Sequence, residues 1–309
     1  MSDLILYHYA LSPFSEKIRT MLGYAGLSWQ SVTVKEMPPR PELEALAGGY
    51  RKIPVAQNGA DVFCDTRTIA TEIARLAGKP ELDLSQQPKE VQQFVEEVDL
   101  EVFLACVIFA SGGGMLAKLI RNTSLWDALR FLKDRIDMGR KAKVKAITPA
   151  LAKQRVQAHL KRLESLLVRD FLFGDTPCVA DFSAYPSLWF VAEVANKPVL
   201  TPFPAVQAWM NRMRSFGHGK VTALQSDEAL ELAYCSEPRP LPDADAIPRR
   251  VSVAPTDYGR DPVTGSLCHA GEKCLILAHD HRRVGRVHLH FPRSGFQVQP
   301  TPPTQNSGD

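Results

Sequence analysis

A short apolar run, Leu4-Ile5-Leu6-Tyr7-His8, leads through three residues into Ser12-Pro13-Phe14-Ser15 and then straight into a helical pattern. A strand that stops at the N-terminus of a helix presents unpaired backbone N–H groups and the positive end of the helix dipole. A hydroxyl at that junction can help hold an anion, and a thiolate is one such anion. Phe14, Ile18, Met21, Leu22 and Ala25 recur at helical spacing, and Gly26 supplies a stop. Trp29 to Val34 has the alternating, β-branched character of a second strand. Met37-Pro38-Pro39-Arg40-Pro41 reads as a loop, because proline interrupts helices and ladders alike. Pro54–Gln57 and Asp61–Cys64 flank Asn58-Gly59, a strong hairpin signal. Asp65 or Thr66 then caps a helix carrying Ile69, Ile73 and Leu76, ended by Gly78.

The order β-α-β, loop, β-β-α is that of a thioredoxin-like domain. Three segments follow one another within about 80 residues: Ser12–Ser15, Arg51-Lys52-Ile53-Pro54-Val55 and Cys64-Asp65-Thr66-Arg67. Together they resemble the glutathione-binding N-terminal domain of serine-type glutathione S-transferases, which carry a Ser-Pro-Phe motif. The resemblance covers roughly residues 3–217. Phe171–Asp181 is similar to the signature before the central helix of the family's C-terminal domain, and Phe203–Met210 to its late helix. One departure stands out: Cys178 occupies the cap position where the family has Ser or Thr, beside the expected Asp181. The implied architecture is a thioredoxin-like α/β domain over 1–78, then an all-α domain over 88–235. Residues 251–299 add a small β-rich module that the usual transferase pattern lacks, with 236–250 a Pro-rich, charged linker and 300–309 a tail.

The rest of the chain is consistent with this division. A length of 309 residues suits two or three domains. From Glu90 to about Phe216 the period is helical: Phe94, Val98, Val102 and Ala105 share a face, as do Leu129, Leu132 and Ile136, and Leu160, Leu163 and Leu167. Ser111–Gly114 interrupts the first long helix. Lys273–His279, Val284–Phe291 and Phe296–Val298 read as strands of the module, which is expected to pack against the helical domain. A net charge of +3 gives no ground for a nucleic-acid or membrane partner. No apolar run reaches the roughly 18–20 residues of a membrane span, and residues 1–10 lack the pattern of a signal peptide. The six cysteines are scattered, without a C-x-x-C, so free thiols and a cytoplasmic location are expected.

Ser12 is the residue expected to act on the thiol. A free thiol titrates near about pH 8.5, and lowering that by about two units is worth roughly 2.7 kcal/mol. A hydroxyl donating to sulfur at a helix N-terminus supplies part of this. The plain alternative is that Ser12 only caps the helix. Ser15 is a secondary candidate, as are Tyr7 and Tyr9, although strand tyrosines are usually core. With serine rather than cysteine at 12 and 15, the loop cannot form a mixed disulfide with glutathione. The resemblance implies a cis Ile53-Pro54 step whose backbone pairs with the cysteinyl part of glutathione, and Asp65-Thr66 receiving the γ-glutamyl group. Asp65 is one methylene shorter than the glutamate the family often has there. Lys52 and Arg67 are matched to the ligand's carboxylates.

The function so implied is glutathione transfer to a small hydrophobic electrophile, with glutathione as co-substrate, no cofactor or metal, and a homodimer as the default assembly. Alternatives are a non-catalytic binding or regulatory protein and a glutathione-dependent isomerase or lyase. Two features stand apart. Arg130–Arg155 holds nine Lys/Arg against Asp134 and Asp137, a solvated helix face or a positive rim. His279, His281, His288 and His290 form two His-x-His pairs on adjacent strands. Metal binding is geometrically possible there, but none is expected.

Overall fold

Alternation along the first strand divides two cores. The structure is a computed structural model and describes residues 4–111, 147–241 and 249–301. In β1 (Ile5–His8), Leu6 and the preceding Leu4 face one side of the sheet while Ile5 and Tyr7 face the other. The first face packs on α1 (Pro13–Ala25) and α3 (Thr66–Ala77) through Ile18, Met21, Leu22, Ile69 and Ile73. β2 (Ser28–Thr33) is parallel to β1, while β3 (Val55–Asn58) and β4 (Asp61–Cys64) form the expected hairpin. The thioredoxin-like order is therefore present, with one addition. The Pro-rich segment taken for a loop ends in a short helix, α2 (Pro41–Ala47), with Pro41 in its first turn and Gly48 as its C-cap.

The helical domain follows. α4 (Lys89–Glu97) continues through a π turn at Val98–Val102 into α5 (Phe103–Ala110), which stops with Ser111 as its C-cap. Phe94, Val98, Val102 and Ala105 are all buried, as their spacing predicts. The face at Leu129, Leu132 and Ile136 lies outside the described residues, as does most of the basic run. Among the described residues, α6 (Pro149–Leu166), α7 (Val179–Trp189) and α8 (Pro204–Ser215) follow in the bundle. Asp181 compensates for the poor cap at Cys178. Its buried carboxylate accepts from Cys178 N and Leu172 N, both at 3.0 Å, and from Trp209 Nε1 at 2.9 Å. No helix among the described residues is long and apolar enough to cross a membrane.

Beyond α8 the chain returns to the sheet. β5 (Lys220–Ala223) pairs in parallel with β2, and α9 (Ser226–Tyr234) buries Ala229, Leu230 and Ala233 beneath the second face. The module forms five strands: β6 (Arg249–Pro255), β7 (Val263–Ala270), β8 (Cys274–His281), β9 (Gly285–Pro292) and β10 (Phe296–Pro300). Its placement corrects the expectation that it packs on the helical domain. β9 runs parallel to β4, with Asp61 opposite His288 and Phe63 opposite His290, giving one ten-stranded sheet in the order β10-β6-β7-β8-β9-β4-β3-β1-β2-β5. The reason is burial. Val253, Leu277, Val287, Leu289 and Phe291 join Ile5, Tyr7, Val55 and Val62 in the second core, which neither part could cover alone. At Gly48, with φ +60°, an added Cβ would lie 2.9 Å from Val263 Cγ1, so β7 approaches the end of α2 more closely than any side chain there would permit.

The start of the linker is held by charge. Arg239 donates to Glu72 at 3.0 Å and lies 3.2 Å from Asp61, while His290 meets Asp61 at 2.7 Å. Burial pushes the Glu72 carboxyl up, but hydrogen bonds from Arg75 and Arg239 outweigh this and hold it at about 2, against 4.5 ordinarily. A depressed carboxyl stabilises the fold above its unfolded pKa and loses that contribution as pH falls through the folded value. The shift corresponds to about 3 kcal/mol. Urea unfolding at about pH 6, 4 and 2.5 should show the wild-type advantage over Glu72→Gln shrinking toward the lowest pH. Parallel pH profiles for the two proteins would contradict this assignment.

Candidate functional site

Ser12 sits at the end of β1 as the N-cap of α1, 2% exposed, with Pro13 in the first turn. Its Oγ accepts from Ser15 N at 3.2 Å, so the capping alternative is realised. That bond uses a lone pair and leaves the hydroxyl proton to be donated elsewhere. The loop carrying Ser12 is held from below by Arg19, which is 6% exposed and donates to the carbonyls of Tyr9 (3.2 Å) and Ala10 (2.9 Å), to Glu16, and to His8 Nδ1. Burial first, and Arg19 second, lower the His8 pKa to about 4, so the ring stays neutral and can accept from Arg19 while meeting Ser31 Oγ at 2.8 Å. Ser15 lies fully buried with its Oγ unpartnered. Tyr7 faces the second core and donates to Gln57 Oε1 at 2.7 Å, which makes it a core residue. Tyr9 is half-buried at the margin of that core.

The Ile53-Pro54 peptide is cis, and Ile53 is 9% exposed. The β1–β3 ladder begins at Val55, so Ile53 lies just beyond it. Arg40, 6% exposed, braces this approach by donating to the carbonyls of Lys35, Glu36 and Arg51. At the end of β4, Asp65 caps α3 with φ 85°, a conformation that non-glycine residues rarely adopt and that costs on the order of 1–3 kcal/mol. Its Oδ1 accepts from Arg67 N at 3.1 Å and Arg67 Nε at 3.0 Å. Burial raises the Asp65 carboxyl, yet Arg67 and Lys52 outweigh it and keep the group ionised. Thr66, 8% exposed, opens α3 beside it. The three segments singled out in the sequence therefore lie at the same end of the neighbouring central strands β1, β3 and β4.

The module closes one side of that end of the sheet, an arrangement that no local sequence pattern encodes. Lys52 Nζ donates to Asp257 at 2.8 and 3.0 Å and lies 4.1 Å over the ring of Tyr258. Arg67 Nη1 donates to the Ser294 carbonyl at 2.9 Å. On the other side, a crevice between the domains is lined by Pro13, Phe14, Phe103 and Pro186, with the buried Lys17–Asp99 pair at 2.7 Å. Ser183 and Ser187 complete a lining that is half polar. The two histidine pairs are not brought together: the β8–β9 register puts His279 and His281 on one face and His288 and His290 on the other. His279 instead bonds the Ala45 carbonyl, and among the described residues no group of three or more His, Cys, Asp or Glu is placed to hold a metal. Of the residues missed, Arg19 left a signal: it is a cation among the core residues Ile18, Met21 and Leu22 of α1. Asp257 and Tyr258 left none, because their role depends on where the module docks.

Residues 6–81 match the family profile "Glutathione S-transferase, N-terminal domain" and residues 128–215 match "Glutathione S-transferase, C-terminal domain". A comparison with curated protein sequences gives no match. Among solved structures, a GST-like protein from Pseudomonas syringae is 34% identical, with a TM-score of 0.77, covering 97% of this chain and 100% of its own. A glutathione S-transferase from Rhodospirillum rubrum is 20% identical, with a TM-score of 0.47, over 69% of this chain and 88% of its own. A Pseudomonas fluorescens family member with two glutathione bound is 16% identical, with a TM-score of 0.48, over 69% of this chain and 89% of its own. On its sequence, and on a relative matched along almost its whole length, this chain belongs to the glutathione S-transferase family.

Proposed function

We propose that the protein binds glutathione across Ser12, Ile53–Pro54 and Asp65–Thr66 and ionises its thiol for attack on a small hydrophobic electrophile. The observation that carries this reading is Asp65. An ionised carboxylate in a strained backbone conformation at a helix N-terminus suits a ligand bearing both an ammonium and a carboxylate, as the γ-glutamyl group does. Ser12 stands at the N-terminus of the other helix, its proton free to be donated to a thiolate. The thiol proton passes to solvent, the sulfur lone pair forms the new C–S bond, and the electrophile either releases a leaving group with its electron pair or takes the charge by conjugate addition. Lys52 and Arg67 serve the ligand's carboxylates. The protein's contribution is binding, orientation and ionisation, so the reading calls for no metal or redox cofactor. A cytoplasmic homodimer is part of this reading and rests on the family resemblance.

A second reading, a glutathione-binding protein without transfer activity, is favoured by the near-complete burial of Ser12. The two readings differ in the Ser12→Ala variant. Under the first, turnover falls by about 10–1000-fold while glutathione affinity changes little, because Asp65, Thr66 and Ile53 hold the rest of the tripeptide. Ultraviolet titration of the bound thiolate is the direct check, and an unchanged thiol pKa removes Ser12 from the chemistry. Asp65→Ala should act on binding instead, weakening glutathione by about 1–3 kcal/mol as the ligand ammonium loses its partner. Calorimetry measures this, and unaltered affinity would mean that the shorter carboxylate never meets the ligand.

A further inference from the structure

Three consecutive residues of the β6–β7 loop enclose one side chain of the thioredoxin-like domain. Asp257 presents both carboxylate oxygens to the Lys52 ammonium, and Tyr258 lays its ring beneath it. Gly259, with φ +61°, fits against the stem: a Cβ there would come within 3.6 Å of Lys52 Cγ and 3.7 Å of Cε. The side chains of Lys52 and Asp257 are 14% and 28% exposed, so the pair is only partly screened by water. The loop is anchored on both sides. Asp261 lies 3.6 Å from Arg51, and the neighbouring β9–β10 turn holds Arg67 through the Ser294 carbonyl.

Lys52 therefore already holds a carboxylate, and that carboxylate belongs to the chain itself. A second carboxylate brought to the same ammonium would stand within a few ångström of Asp257 and be repelled by it. We propose that Asp257 is a specificity-determining residue: an internal carboxylate that occupies Lys52 in place of the glycyl carboxylate of glutathione, which must displace it to bind. This rests on the reading of the site as a glutathione site and adds a prediction of its own. Asp257 discriminates by charge at the glycyl end. It acts against a thiol peptide with a free carboxylate there, and leaves untouched one whose carboxylate is esterified. The cost to glutathione is the fraction of time that the loop is closed, because apparent affinity falls with the competent fraction.

Calorimetric titration of the full chain with glutathione and with its glycyl ethyl ester, for wild type and Asp257→Asn, tests this. The variant should bind glutathione about tenfold more tightly, the gain expected if the closed loop is populated roughly nine-tenths of the time. It should bind the ester no better than wild type does, and in a Lys52→Gln background the Asp257→Asn gain should vanish. Melting curves of each variant establish that it is folded, and Tyr258→Ala, which loosens the same loop without altering its charge, gives a second route to tighter glutathione binding. Equal or weaker glutathione binding by Asp257→Asn, or an equal gain for the ester, overturns the proposal and leaves the glutathione site standing. Absence of glutathione binding by wild type and variants alike overturns both.

Discussion

Asp61 opens β4 in an almost fully buried position, where a carboxylate is tolerated only if its oxygens are taken up by donors. Here the donors come from far along the chain: the imidazole of His290 on β9, and the guanidinium and backbone N–H of Arg239 in the linker. They fix the parallel pairing of β9 with β4, and His290 stacks on Phe63 at 4.7 Å beside it. Everything distinctive about the molecule depends on this pairing. It sets the register that carries Leu289 onto Val62, and it determines that the β6–β7 loop, and not solvent, meets Lys52.

Parallel strands need a long crossover. In this chain the crossover from β4 to β9 contains the entire helical domain, β5 and α9, so the β4–β9 ladder joins residues more than two hundred positions apart. The second core inherits that long range, since α2, α9 and the inner faces of β6 to β9 all bury side chains against β1, β3 and β4. The site lies where the two halves meet. Its hydroxyl and its acidic cap belong to the thioredoxin-like part, braced by Arg19 and Arg40, while its outer wall is supplied by the C-terminal strands.

What could be read from sequence follows the range of each interaction. The junction at Ser12, the Asn58-Gly59 hairpin and the Asp65 cap are written within a few neighbouring residues, and the structure has all three. α2 was missed because a seven-residue helix has too few turns to show a period, and the prolines before it dominate. The docking surface of the module was misjudged for the opposite reason: alternation shows that a strand has an apolar face but not which apolar face will cover it. The histidine pairs show the same gap, since spacing puts the two members of each pair on one side but only inter-strand register decides whether the pairs can meet. Asp257 and Tyr258 become visible only after the topology is known.

The proposed glutathione site stands on a sheet completed by the C-terminal strands, so that site and module form one folding unit. Thermal unfolding of the chain ended after Cys235 tests it most directly, with glutathione titration of whatever folded protein is obtained. Truncation uncovers the apolar side chains of the second core, each worth about 1.5–3 kcal/mol of burial. The account predicts a midpoint lower by more than about 10 °C, or no cooperative transition at all, with glutathione binding lost. A truncated protein that melts within about 2 °C of the full chain and binds glutathione with unchanged affinity would contradict it.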